Sequence, residues 1–184
     1  LTTKVSGSDL FVPLLRAAAA RDVPVFLLGS TADNAAVAVR RLRTEIPALR
    51  IVGYASPWFD PSLPVDEQPE LRAAIGQLHA SGARLVVLGF GSPKQELLLE
   101  RLRPALPNGA YCNLGASIDF VAGSQVRSPA WMSRVGLEWL FRLLSDPRRL
   151  WRRYLVDDVR AAPVFARLAI ARVRRRPVTS WVPR

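Results

Sequence analysis

Apolar positions along this chain fall into short unbroken runs, separated by longer stretches in which they recur every three or four residues. Val23-Pro24-Val25-Phe26-Leu27-Leu28-Gly29 and Arg84-Leu85-Val86-Val87-Leu88-Gly89-Phe90-Gly91 are two such runs, each closing on glycine. Strands of a parallel sheet, covered on both faces, look like this. Arg50 to Tyr54 and Ala110 to Leu114 read as shorter strands. Ser8-Asp9 ahead of Leu10, Phe11, Leu14 and Leu15 predicts a capped first helix. Ser30-Thr31-Ala32-Asp33 opens a second helix through Glu45. After a Pro-rich loop ending at Pro64, a third runs from Glu67 to Ala80 with Leu71, Ala74, Ile75 and Leu78 on one face, and a fourth from Pro93 to Leu102.

Strands alternating with helices imply an α/β fold, a Rossmann-like parallel sheet with helices on both faces. Ligands of such sheets bind beyond the carboxyl ends of the strands. Those ends are Gly29-Ser30-Thr31, Gly89-Phe90-Gly91-Ser92 and Asn113-Leu114-Gly115-Ala116. After Pro129 only helical spacing remains, with Met132, Val135, Trp139, Leu140 and Leu143 recurring from Trp131 to Ser145. The expected division is therefore a sheet domain over 1–128 and a helical appendage over 129–184.

Charge sharpens that division. Residues 146–184 carry eleven Arg, no Lys and the acids Asp146, Asp157 and Asp158, which is +8 of the overall +11. Arg outnumbers Lys twenty-four to two throughout, so codon bias accounts for the choice of Arg but not for its clustering. A basic block at one end points to an anionic partner, lipid headgroups or nucleic acid, and the block has no nucleic-acid recognition motif. No apolar run approaches the roughly 20 residues of a spanning helix. The single cysteine, Cys112, reads as a buried strand thiol, and the single histidine, His79, lies on a polar helix end with no ligand cluster around it.

Gly89-Phe90-Gly91-Ser92-Pro93-Lys94-Gln95-Glu96 is the strongest local signal. A strand ends in glycines, Ser92 can cap the next helix, and Pro93 fits its first turn. Free N–H groups and the positive helix end favour an anion there, and Lys94 adds a mobile charge. Gln95 and Glu96 are placed to reach a sugar hydroxyl or a base edge. Ordinary capping, with Glu96 as a first-turn acid, explains the same residues. In Asn113-Leu114-Gly115-Ala116-Ser117-Ile118-Asp119-Phe120-Val121-Ala122-Gly123 the small residues allow close backbone approach, and Asp119 is a candidate hydroxyl ligand. Tight-turn glycines with a turn-forming Asp are the alternative. Arg127 can meet phosphate bidentately or be merely solvated.

Taken together and in order, several segments resemble the WecG/TagA/CpsF glycosyltransferases. They are Val5-Ser6-Gly7-Ser8-Asp9-Leu10, the Gly89–Glu96 run, Gly115–Gly123, Arg127-Ser128-Pro129 with Trp131, and Gly136–Leu143 followed by Pro147–Leu150 and Arg152–Leu155. The resemblance covers about residues 4 to 155. It implies an inverting transferase that moves an N-acetylhexosamine, often N-acetylmannosamine, from UDP to a polyprenyl-diphosphate-linked sugar in bacterial cell-surface polysaccharide or teichoic-acid synthesis. No cofactor or catalytic metal is implied; the UDP-sugar is the donor substrate.

Carried onto this chain, the expected substrate-binding residues are Asp9, Gly29, Gly89, Gly91, Pro93, Lys94, Gln95, Glu96, Gly115, Asp119 and Arg127. Arg142, Arg148, Arg149, Arg152 and Arg153 are expected to meet the membrane or the acceptor. The catalytic base favoured by the family, an aspartate in an Asp-Gly element, is expected upstream of Leu1, so residues 1–184 are expected not to catalyse by themselves. The expected location is the cytoplasmic face of the cell membrane, peripherally bound, with self-association left open. The competing reading is a non-catalytic nucleotide-binding remnant at the membrane.

Overall fold

The computed structural model describes residues 6–92, 94–105, 109–126, 128–129, 132, 137–145 and 147. The chain divides into two compact units, Leu1–Val126 and Arg127–Arg184. The first contains α1 (Gly7–Ala19), β1 (Val25–Gly29), α2 (Ala32–Glu45), β2 (Ile51–Ala55), α3 (Pro69–Ala80), β3 (Leu85–Gly89), α4 (Lys94–Leu102), β4 (Ala110–Asn113) and α5 (Ser117–Ala122). Single 3-10 turns, Val65–Glu67 and Arg103–Ala105, precede α3 and follow α4. The four strands are all parallel, in the order β2-β1-β3-β4. The expected α/β architecture, a parallel sheet flanked by helices, is what the chain adopts.

Strand periodicity sorts the core. Val25, Leu27, Ile51, Leu85 and Val87 point to one face, where they pack with Phe11, Leu15, Val39, Leu42 and Ile118 of α1, α2 and α5. Phe26, Leu28, Val86 and Leu88 point to the other, against Leu71 and Leu78 of α3, Leu98 and Leu102 of α4, and Phe59. β1 and β3 are buried at every position, which is why their sequences are unbroken apolar runs. Each such side chain contributes about 1.5–3 kcal/mol when fully buried. Phe26 reaches under β2, where a Cβ on Gly53 would stand 2.6 Å from its Cε2. That strand therefore carries glycine opposite the ring.

Several boundaries differ from expectation. Ser6, not Ser8, caps α1, and Asp9 is the N3 acid of a capping box: Ser6 N donates to its Oδ2 at 3.0 Å. The third helix starts at Pro69 rather than Glu67, because Val65–Glu67 forms a separate 3-10 turn. The Ser117–Ala122 stretch is a short helix rather than a bare turn, closed by Gly123 in the left-handed conformation (φ 77°). Cys112 is half-buried rather than enclosed, and desolvation pushes its thiol above the ordinary value. Tyr111 is raised for the same reason, and its hydroxyl donates to Leu102 O at 2.7 Å, tying β4 to the end of α4.

In the second unit, α6 (Glu138–Ser145) is the described part of the helix expected from Trp131 to Ser145. Pro93, Arg127, Arg148, Arg149, Arg152 and Arg153 lie outside the described residues, as does the side chain of Arg142. Among the described residues no helix is long and apolar enough to cross a membrane.

Candidate active site

The chain leaves β1 for α2 on one face of the sheet and returns through α3 to β3 on the other. The carboxyl ends of β1 and β3 therefore flank the point where the winding reverses, and crevices of α/β sheets open at such points. Here the two strands meet glycine to glycine. A Cβ on Gly29 would stand 2.7 Å from the carbonyl carbon of Gly89, and Gly29 itself has φ 122°. No other residue fits that approach.

Ser30 follows with φ 65°, a left-handed conformation that costs a residue bearing Cβ roughly 1–2 kcal/mol. Its backbone N donates to Gly89 O at 3.1 Å, and its hydroxyl donates to Asp119 Oδ1. Asn34 Nδ2 donates to the same oxygen at 3.0 Å. Thr31 caps α2 by accepting from Asn34 N, which fixes where the Asn34 side chain starts. Ser56, at the end of β2, donates to Gly29 O. Gly29, Gly89 and Asp119, all expected from sequence, are thus brought into one corner. Gly115 joins them, since its carbonyl would lie 3.4 Å from a Cβ on Gly89. The N-terminus of α1 comes close as well: a Cβ on Gly7 would touch the Leu114 backbone, so Asp9 sits near the β4 end as a helix-capping acid.

The β3–α4 turn behaves differently. Gly91 O accepts from Gln95 N, giving the first turn of α4. Lys94 does not stand free over the helix start. Its Nζ donates to Phe59 O at 3.2 Å and lies 5.8 Å and 5.4 Å from the ring centres of Trp58 and Phe59. Trp58 is 69% exposed and so offers a ring face to solvent. Gln95 Nε2 donates to Glu96 Oε1 at 2.9 Å, which leaves Gln95 Oε1 to be satisfied by another group. That atom and Asn113 Oδ1 are shielded from solvent and have no hydrogen-bond donor among the described residues. An orphaned buried acceptor costs about 1–3 kcal/mol, a cost that a bound donor group removes.

The loop from Ser56 to Gln68 hangs beside this turn. Gln68 is buried, accepts from Asp60 N at 2.7 Å and donates to Leu63 O and Pro64 O. Arg101 donates to Pro61 O and Leu63 O. Bonds from the Ser62 hydroxyl and backbone, with Lys94 and Arg101 nearby, hold the Asp60 carboxyl below its ordinary 3.8. Asn34, Ser56, Trp58 and Gln68 were not expected as site or scaffold residues. A polar residue in a capped helix, or a glutamine before proline, has no local signature of a long-range bond. An open groove of about 560 Å³ on the outer side of α3, with Arg72, Gly76 and His79 among its walls, touches none of the strand ends.

A family model described as the glycosyl transferase WecG/TagA/CpsF family matches residues 1–177. The chain belongs to that family. As a WecG/TagA/CpsF glycosyltransferase it works in cell-surface polysaccharide synthesis, with a sugar donor and an acceptor as substrates. A WecG/TagA/CpsF chain must hold a polar donor and an acceptor hydroxyl together.

Proposed function

We propose that the chain binds a UDP-sugar across the carboxyl ends of β1, β3 and β4 and is the donor-binding part of an enzyme that transfers an N-acetylhexosamine, of the N-acetylmannosamine type, to a polyprenyl-diphosphate-linked acceptor. The observation that carries this reading is the convergence of Gly29, Gly89 and Asp119 at the reversal point of the sheet. Backbone can approach a nucleotide only where side chains are missing, and a carboxylate beside it accepts from hydroxyls of the ribose. Gln95 Oε1 and Asn113 Oδ1 suit N–H or O–H donors of the base or sugar. The first turn of α4, with Lys94, faces the diphosphate.

In this reading the acceptor oxygen attacks the anomeric carbon from the side opposite UDP, so the configuration inverts. The bond from that carbon to the β-phosphate oxygen breaks, and UDP leaves with the electron pair. Helix N–H groups and cations offset the charge that develops, without a metal. The acceptor proton goes to a general base. Neither Asp9 nor Asp119 is assigned that role: Asp9 is committed to the cap of α1, and Asp119 is given to the donor.

The arginines from Pro147 onward are proposed to bind anionic lipid on the cytoplasmic side of the membrane, each contributing about 1 kcal/mol before screening. Titration calorimetry with UDP tests the donor site. Micromolar to millimolar binding is expected for the wild type and a loss of tenfold or more for Asp119→Ala. A wild-type chain that takes up no UDP would end the reading. For the basic segment, deleting everything after Asp158 is expected to lower sedimentation with anionic vesicles at low salt while UDP affinity holds. Equal sedimentation would remove that segment as the anchor.

A further inference from the structure

Both side-chain donors that reach Asp119 converge on one oxygen. Ser30 Oγ and Asn34 Nδ2 bond Oδ1, and Oδ2 has no hydrogen-bond partner among the described residues. A contact meant only to neutralise a half-buried carboxylate gains most by spreading donors over both oxygens. The docking of α5 on α2 does not need it either. Ile118 is fully buried in the shared core, and Arg41 Nη1 donates to Val121 O at 2.9 Å further along. Ser30 nevertheless keeps a side chain at φ 65°, where glycine would be at ease, and spends that side chain on Asp119.

We propose that Ser30 and Asn34 are positioning residues, which fix the Asp119 carboxylate by Oδ1 so that Oδ2 is presented to the hydroxyls of the donor ribose. The inference rests on the UDP-binding reading above and adds to it which groups set the carboxylate. With its rotamer already chosen, Asp119 loses little freedom when the nucleotide arrives. Two donors on Oδ1 also withdraw that oxygen from competition, so a diol meets a single acceptor at a set angle. Ser30 couples this arrangement to β3 through its bond to Gly89 O, which keeps the carboxylate in register with the glycine edge of the crevice.

The test uses the full chain and two probes, UDP and 2′,3′-dideoxy-UDP, with melting temperatures recorded beside every affinity. Wild type is expected to prefer UDP by tenfold or more. Ser30→Gly and Asn34→Ala are each expected to weaken UDP three- to tenfold, to leave dideoxy-UDP unchanged, and so to shrink the preference. In an Asp119→Asn background, Ser30→Gly should weaken UDP no further. Ser30→Gly should also melt at or above the wild-type temperature, since it relieves the left-handed backbone. A merely structural tie would lower the melting temperature and affect both probes alike, and that result would overturn the proposal. So would a wild-type UDP preference retained in Ser30→Gly while Asp119→Asn loses it, an outcome that leaves the donor site standing. A loss of preference in neither variant would remove Asp119 and its positioning residues together.

Discussion

Two neighbouring halves of the strand-end crevice are held in opposite ways. At the β1–α2 corner the ties are short: glycine against glycine, a serine hydroxyl and an asparagine amide on one carboxylate oxygen. At the β3–α4 side the ties are long: Lys94 and Arg101 stretch to carbonyls of the 56–68 loop, and Gln68 bonds it from beneath. Short side chains leave few rotamers, so the first half has one geometry. Long cations anchored on carbonyls have more rotatable bonds to hold, so the second half is fixed at a larger entropic cost. The difference is one of reach: one half is fixed by contacts between neighbouring backbone and short side chains, the other by side chains that span to a separate loop.

The strongest way to break the first half is Gly29→Val. Its Cβ would meet Gly89 backbone at 2.7 Å, and a β-branched residue cannot hold φ 122°. A loss of about 3 kcal/mol or more is expected in urea denaturation, from overpacking and strain together. A loss under about 1 kcal/mol would show that the two strand ends separate easily. Next in size is Gln68→Ala, which strands Asp60 N and two loop carbonyls. About 2 kcal/mol is expected for these unmet partners, together with faster amide exchange across residues 57–67 and unchanged exchange in β1. Exchange rising equally in both would contradict the division into two halves.

Lys94→Ala probes the second half directly. UDP affinity should fall by roughly 1 kcal/mol, about fivefold, as for one charge-assisted bond. Because Lys94 Nζ lies 5.8 Å from the Trp58 ring, UDP that draws the cation away should change Trp58 fluorescence in wild type, and the variant should lack that change. Unchanged affinity in a folded variant would take this turn out of the site. The smallest effect belongs to Asp60. Its carboxyl is depressed below 3.8 by Ser62 and then by Lys94 and Arg101, so its contribution is present at neutral pH. That contribution is lost as pH falls below about 4 through the folded value. Asp60→Asn should flatten this acid-side decline in melting temperature, and an identical slope would show that the exposed carboxyl contributes nothing.

Most of the sheet could be read from the chain, for a physical reason. β1 and β3 are covered on both faces, so Val25 to Gly29 and Leu85 to Gly89 admit no polar residue, and that signal survives without any partner in view. α5 was hidden because the six residues Ser117–Ala122 are too few to show a helical period. Ser8-Asp9 was expected to cap the first helix, and the bond from Ser6 N to Asp9 places the start two residues earlier. In the site, glycines announced close approach, whereas Asn34 looked like any solvated residue because its partner Asp119 is remote in sequence. The sign of Lys94 was evident, but its direction depended on a loop whose course nothing local dictates.

The strand order has a consequence for how the chain is made. β1 is interior, and its second neighbour is β3: Val25 cannot close its far edge until Leu85 has been synthesised. During translation β1, α2 and β2 therefore emerge as a unit with one bare edge of unpaired N–H and C=O groups, and an intervening helix must form before that edge is covered. Such an interval is when strands pair with the wrong neighbour. Ribosome pausing or codon usage between Pro69 and Leu85 should thus govern the yield of this protein more than changes anywhere downstream of Asn113.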